Sequence, residues 1–179
     1  MTGENGDWRV IESEVEYETE WYNGGYDLVE QPDGSTKRYY WCELPPASVI
    51  VAVDDGELVL VEQYRPIIGQ THIELPAGIV EEGETFEKTA KRELEEETGY
   101  RASEVELLQE YWVATGVLRH RRGIVYADGL QKTEQRLENN EFLESMTVPI
   151  EDAMDVVRSP PTNDATVEGI LLAKEEGVL

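Results

Sequence analysis

Three carboxylates stand out by type and spacing: Glu93, Glu96 and Glu97, within the stretch GIVEEGETFEKTAKRELEEETGY that runs from Gly78 to Tyr100. At about 100° per residue they fall within one narrow stripe of a helix. Like charges at these spacings repel, by about 0.2–0.5 kcal/mol per pair, so the stripe calls for a compensating charge. Hard divalent cations such as Mg²⁺ bind clustered carboxylate oxygens and usually contact substrate phosphates too, and Mn²⁺ shares the preference. The chemistry implied is metal-assisted attack of water on a phosphorus. Taken alone, the stripe reads equally as solvated glutamates of an acidic chain.

The flanking residues supply the helix that the stripe requires. Thr85 can cap a helix start and Gly99 is the usual left-handed residue past a helix end, which predicts a helix over about 86–98. Phe86 and Ala90 lie on nearly the same stripe one and two turns earlier. A face that begins apolar therefore ends in carboxylates, as if the helix ran out of the core into a cleft.

Written as a pattern, the stretch is Gly78, five residues, Glu84, seven residues, then Arg92-Glu93-Leu94-x-Glu96-Glu97-x-Gly99-Tyr100. It resembles the Nudix box, the signature of the Nudix hydrolases, at every position. The resemblance implies a loop–helix–loop holding Mg²⁺ against a diphosphate, in an enzyme that hydrolyses a nucleoside diphosphate linked to another group. Carried over by position, Glu93, Glu96 and Glu97 match the metal-binding glutamates. Arg92 and Glu84 match the pair that orients them, Gly78 permits the tight loop, and the backbone carbonyl of Ala77 often joins the metal shell in similar enzymes.

The chain has 179 residues, 40% of them hydrophobic, which suits one domain with one core. Its net charge of −24 repels nucleic acid and anionic membrane, so no stable nucleic-acid or membrane partner is expected. Acid spread along the whole chain, with arginine outnumbering lysine, is also a halophile-like composition. Cys42 is the only cysteine, which excludes an intrachain disulfide and a cysteine-based zinc cluster. With no signal-peptide pattern and no run long enough to span a bilayer, a soluble cytoplasmic protein is expected.

Along the chain, residues 1–7 are expected to be disordered. Val15 to Trp21 alternates strictly with glutamates and predicts a half-buried antiparallel strand. Gly24-Gly25 is expected to turn the chain into strands at Tyr26–Glu30 and Arg38–Glu43, joined by Pro32-Asp33-Gly34. Residues 1–45 thus form an antiparallel β-meander, whose aromatics read as local core, a dimer surface or an adenine-stacking wall. The rest, 46–179, is expected to be the Nudix hydrolase domain. It contains apolar strands at Ser48–Val53 and Leu58–Gln63, the box helix, strands at Val105–Val113, Ile124–Tyr126 and Phe142–Val148, a helix over Ile150–Val157, and a last helix capped by Thr162 or Asn163. The fold class is α+β, a mixed β-sheet sandwich between helices.

Glu62-Gln63-Tyr64-Arg65, Glu74-Leu75-Pro76-Ala77-Gly78, the meander and the C-terminal helix are similar to the ADP-ribose pyrophosphatase branch. That resemblance implies Mg²⁺-dependent hydrolysis of ADP-ribose to AMP and ribose 5-phosphate, a homodimer built by the N-terminal strands, and substrate contact by Arg65. The chain departs from the branch in ATGVLRHRR (Ala114–Arg122), where Thr115 replaces an expected proline and His120 stands about where a glutamate often serves as base or metal ligand. Arg119, Arg121 and Arg122 read either as a phosphate clamp, with Arg121 beside Arg65 as substrate contact, or as partners of the chain's own carboxylates. Candidate general bases are His120, the box glutamates, Glu138, Glu141 and Glu144, while His72 reads as a loop residue. The changed loop favours other nucleotides: nucleoside triphosphates, dinucleoside polyphosphates, NADH or capped RNA. A non-catalytic nucleotide-sensing domain is the remaining alternative.

Overall fold

A computed structural model describes residues 8–179 and bears out the α+β class; the disorder expected over 1–7 lies outside the described residues. In chain order the elements are β1 (Arg9–Glu18), β2 (Asn23–Glu30), β3 (Thr36–Glu43), β4 (Ala47–Asp54), β5 (Glu57–Arg65), β6 (Gln70–Glu74), β7 (Ala77–Ile79) and α1 (Phe86–Thr98). They continue with β8 (Tyr100–Trp112), β9 (Leu118–Arg119), β10 (Arg121–Lys132), β11 (Leu143–Pro149), α2 (Ile150–Arg158) and α3 (Asp164–Glu175). Two compact units result. One runs to Pro45 and takes in Trp112–Arg121; the other holds Pro46–Tyr111 and Arg122–Leu179. No helix among the described residues is long and apolar enough to cross a membrane.

The second unit is a seven-stranded mixed sheet whose main path is β11-β5-β4-β10-β8, with β6 pairing β5 and β7 pairing β4. β4 is the continuous apolar run, buried from Ser48 to Ala52, and it pairs in parallel with β10 from Ala47↔Arg122 to Ala52↔Ala127. Because side chains alternate along a strand, its residues serve two cores. Val49 and Val51 join Leu58, Leu60 and Ile124 under α2 and α3, where Ala153, Val157, Ile170 and Ala173 close the layer. Ile50 and Ala52 join Val59 and Val125 under α1, against Phe86, Ala90 and Leu94. The sheet is therefore covered by α1 on one face and by α2 with α3 on the other.

The helix boundaries read from the sequence fall within one residue of those observed. The Thr85 side chain accepts from the Lys88 N–H, and Gly99 has φ 71° with its own N–H donating to the Glu95 carbonyl. Asn163 caps α3 by accepting from the Thr166 N–H.

The N-terminal expectations need correction. β1 begins earlier and ends earlier than Val15–Trp21, and every one of its residues is exposed. Thr19 ends it, since its hydroxyl oxygen accepts from the backbone N–H groups of Trp21 and Tyr22 and closes the turn. Gly24 and Gly25 do not turn the chain but pair within β2, opposite Tyr17 and Val15. A Cβ on Gly25 would stand 2.0 Å from the Glu14 carbonyl oxygen and 3.0 Å from the Trp41 ring, so glycine is there for close backbone approach. Of the aromatics, Tyr26 and Trp41 are buried, whereas Trp8, Tyr17, Trp21 and Tyr40 are exposed. In this unit β9 adds to β3 in parallel.

Gly25→Ala forces β1 and β2 apart. The expected loss is about 1–3 kcal/mol, the usual cost of an overpacked contact, with faster amide exchange confined to β1 and β2 by hydrogen-exchange NMR.

Candidate active site

Helix α1 is fastened to the sheet at both ends. At its start the Ser48 hydroxyl, fully buried in β4, donates to the Phe86 carbonyl at 3.0 Å. At its end a segment after β10 covers the last turn. The Arg136 N–H donates to the Glu96 carbonyl, the Gln135 side chain to the Glu97 carbonyl, and the Thr133 N–H to the Gly99 carbonyl. These are the carbonyls a helix end leaves without intrahelical partners. No sequence signal marked Gln135 or Arg136 for this task.

Between these ends the carboxylate stripe lies against β7. Glu93 and Glu97 are both buried. A Cβ on Gly78 would stand 1.9 Å from the Glu93 carboxyl carbon, so only glycine lets that carboxylate lie on the strand backbone. The Ala77 N–H donates to Glu97 at 3.0 Å.

Arg92 braces the rest. It donates from Nε and Nη2 to Glu84 at 3.2 and 3.0 Å, from Nη2 to the Ile79 carbonyl at 3.1 Å, and from Nη1 to Glu93 at 2.8 Å and Glu96 at 3.2 Å. The Thr89 hydroxyl completes the Glu84 shell at 2.8 Å. Arg92 therefore fixes box loop and box helix together.

The electrostatics of the carboxylates diverge accordingly. The Arg92 guanidinium holds Glu84 down at about 2. Burial pushes Glu97 up to about 8, helped by the charge of Glu93 and only partly offset by the Ala77 N–H. Burial also raises Glu93, with Arg92 opposing it. Among the described residues no three acidic, histidine or cysteine side chains already converge as a metal cage, since Glu93 and Glu96 are turned onto Arg92. The donor set nevertheless fits a hard divalent cation. It offers only oxygens, and burial disfavours the ionised form of Glu97 in the protein alone, so a divalent cation beside it would supply the counter-charge that favours ionisation.

Of the other acidic candidates, Glu141 acts on the box: its charge contributes to raising both Glu93 and Glu97. It is held in a turn in which the Glu138 N–H donates to its carboxylate at 2.9 Å. It also borders a cavity of about 420 Å³ shared with Glu62, Tyr64, Phe142 and Glu144. Glu144 sits in β11 opposite Glu62.

The basic residues separate. Arg65 ends β5 and is clamped through Nε and Nη2 by the buried Glu74, though its side chain is still 43% exposed, and its charge reaches Glu97. In the first unit, Arg119 bonds to Asp27 and stacks on Trp41 at 4.1 Å. Nδ1 of His120 lies 2.8 Å from the Pro45 carbonyl, and so carries the proton. Arg121 opens β10 at an exposed position. In the second unit Arg122 pairs with Asp164 and Glu168 of α3. Two members of the basic cluster are thus partners of the chain's own carboxylates. His72 is not a loop residue: it lies in β6, buried, because its alternation with Glu74 turns both inward.

The low Glu84 value has a stability consequence of definite sign. Relative to an ordinary 4.5 in the unfolded chain, its contribution is fully present above about pH 4.5 and is lost as pH falls toward 2. Glu84→Gln is expected to cost about 1–3 kcal/mol at pH 7, the worth of hydrogen bonds to a charged group. In denaturant titrations the gap between the two proteins should narrow as pH falls through that window.

The family model described as the NUDIX domain matches residues 44–169. An ADP-ribose pyrophosphatase of Bacillus subtilis is 36% identical over 140 residues, 76% of each chain. A methanol dehydrogenase activator of Bacillus methanolicus is 32% identical, over 78% of this chain and 77% of that one. A crystal structure of an ADP compounds hydrolase superposes with a TM-score of 0.85, covering 94% of this chain and 93% of that one; at 23% identity it speaks for the fold. With every box position filled, Glu93 seated on Gly78 and Arg92 joining loop to helix, the chain belongs to the Nudix hydrolase family, in its ADP-ribose pyrophosphatase branch.

Proposed function

We propose that the protein hydrolyses ADP-ribose to AMP and ribose 5-phosphate, with Mg²⁺ as cofactor and Mn²⁺ able to substitute. The observation that carries this reading is the pair of buried carboxylates, Glu93 and Glu97, set on the β7 backbone, with the charge of the partly exposed Arg65 reaching Glu97. A water oxygen bonds to one phosphorus, and the bond from that phosphorus to the bridging oxygen breaks. A divalent cation would be held by Glu93, Glu96 and Glu97, with the Ala77 carbonyl, and would neutralise phosphate charge and ease deprotonation of water. Arg92 and Glu84 keep those carboxylates in place. Arg65 holds a phosphate of the substrate, and Glu141 takes the proton from the attacking water.

The rival reading, another nucleotide as substrate, draws on the changed loop Ala114–Arg122. The engagement of Arg119 and Arg122 by Asp27, Asp164 and Glu168 weighs against those two as a phosphate clamp. The fully exposed β1, with Trp8 beside it and Val10, Val15 and Tyr17 on it, supports a homodimer through the N-terminal strands. The net charge of −24, spread along the chain, supports a protein of a salt-rich cell.

Phosphate-product release with Mg²⁺ in concentrated potassium chloride is the direct test, across ADP-ribose, other nucleoside diphosphate sugars, NADH, diadenosine polyphosphates and nucleoside triphosphates. ADP-ribose is expected to be cleaved far faster than the rest; equal or better turnover of a triphosphate would overturn the assignment. Glu97→Gln is expected to lower kcat by at least about 100-fold while substrate binding stays within about 3-fold. Activity surviving within about a factor of two would remove Glu97 from the site.

A further inference from the structure

Beside the box, on the same face of the sheet as α1, lies a line of polar groups of which the proposed reaction uses only the outer one. The β5–β6 register sets Gln63 opposite His72 and Val61 opposite Glu74, so Arg65, His72 and Glu74 share the face that Val59 presents to α1. Glu74 is almost wholly buried, and Arg65 grips it through Nε and Nη2. On the other side of the same carboxylate, Nδ1 of His72 lies 3.7 Å from Oε1, just beyond hydrogen-bond length. His72 is 4% exposed, and neither ring nitrogen has a hydrogen-bond partner among the described residues.

Two buried polar groups nearly in contact but not bonded are a costly arrangement, and native folds rarely keep one without a use. The use follows from what Arg65 must do. A substrate phosphate attracts the same guanidinium that Glu74 holds, and a guanidinium drawn outward leaves a buried carboxylate without its counter-charge. Unless something replaces the lost bonds, that cost is charged against substrate binding.

We propose that His72 is a positioning residue for Arg65: when substrate draws the guanidinium outward, the His72 ring closes on Glu74, donates from Nδ1, and so frees Arg65 to bind phosphate. A neutral imidazole has one N–H and suffices as the donor. Glu74 thereby alternates between two partners, and the short gap to His72 is the structural mark of the second. The inference rests on the assignment of Arg65 to substrate and on no particular choice of nucleotide.

The test is steady-state kinetics on the best substrate of the panel above. Arg65→Ala is expected to raise KM by about 10-fold or more. His72→Leu, which keeps bulk and removes the donor, is expected to raise KM by about 5- to 10-fold with kcat within about twofold. His72→Asn, whose amide nitrogen stands near the Nδ1 position, should restore KM to within about twofold of the original. In the Arg65→Ala background His72→Leu should add less than about twofold, because the two act through one carboxylate. A residue that merely filled space would change KM equally in both backgrounds. If Arg65→Ala raises KM and His72→Leu does not, or if the two effects multiply, the handover is wrong and the Arg65 assignment stands. If Arg65→Ala leaves KM unchanged, both fall.

The unaltered protein gives a second readout. With only two histidines in the chain, their ring nitrogens are separable by ¹⁵N NMR. Saturation with the product mixture should move Nδ1 of His72 to the position of a hydrogen-bonded donor; an unmoved resonance overturns the proposal even where His72→Leu fails to fold.

Discussion

Burial of carboxylate groups is the constraint around which this fold is built. Glu93 and Glu97 are taken out of water on a helix whose neighbouring turns supply core residues, and burial alone disfavours their ionised forms. The molecule holds them there by geometry. Gly78 removes the side chain that would occupy the Glu93 position, and the Ala77 N–H gives Glu97 one strong donor. Ser48 and residues 133–136 pin the helix at opposite ends, so it cannot swing the carboxylates back toward solvent. Charge concentrated in this way is unfavourable for the protein alone and would become favourable with the cation proposed for the site.

Arg92 makes the arrangement tolerable in the meantime. One guanidinium reaches a loop carboxylate, a strand carbonyl and two helix carboxylates. It therefore transmits position from the box loop to the box helix, and its planar fork is the reason lysine would not replace it. Glu84, held by Arg92 and Thr89, anchors this brace outside the carboxylate stripe.

The sequence was legible wherever a local signal decided the outcome. Thr85 and Gly99 bound α1, and of the two caps offered for α3, Thr162 and Asn163, Asn163 is the one observed, because caps act within one turn. The stripe read as running out of the core has Phe86, Ala90, Glu93 and Glu97 buried and Glu96 half-buried. Signals failed where a distant strand decided. Gly24-Gly25 has the chemistry of a turn, yet the approach of the Glu14 backbone and the Trp41 ring claims Gly25 for a strand. His72 reads as a loop residue because five residues between Gly69 and Leu75 are too short for a clear period, and only pairing with β5 makes them β6. The partner of Arg65 was unreadable for the same reason: Glu74 reaches it across that pairing. The basic run told of charge but not of direction, and α3 and Asp27 are what claim Arg122 and Arg119.

The parallel pairing of β4 with β10 also governs how the chain must assemble. Apart from Ser48, residues 47–52 are apolar, yet their parallel partner is residues 122–127, which follow after the whole box and β8. Contacts this far apart in sequence close late, after loop entropy has been overcome. During synthesis the central strand therefore waits unpaired on that edge while the box helix forms. A waiting apolar strand is the kind of segment that seeds aggregation. Here it is followed at once by Asp54 and Asp55, in a chain whose net charge of −24 makes each growing copy repel the next. The acidity of this protein thus guards its folding before it has any site to serve.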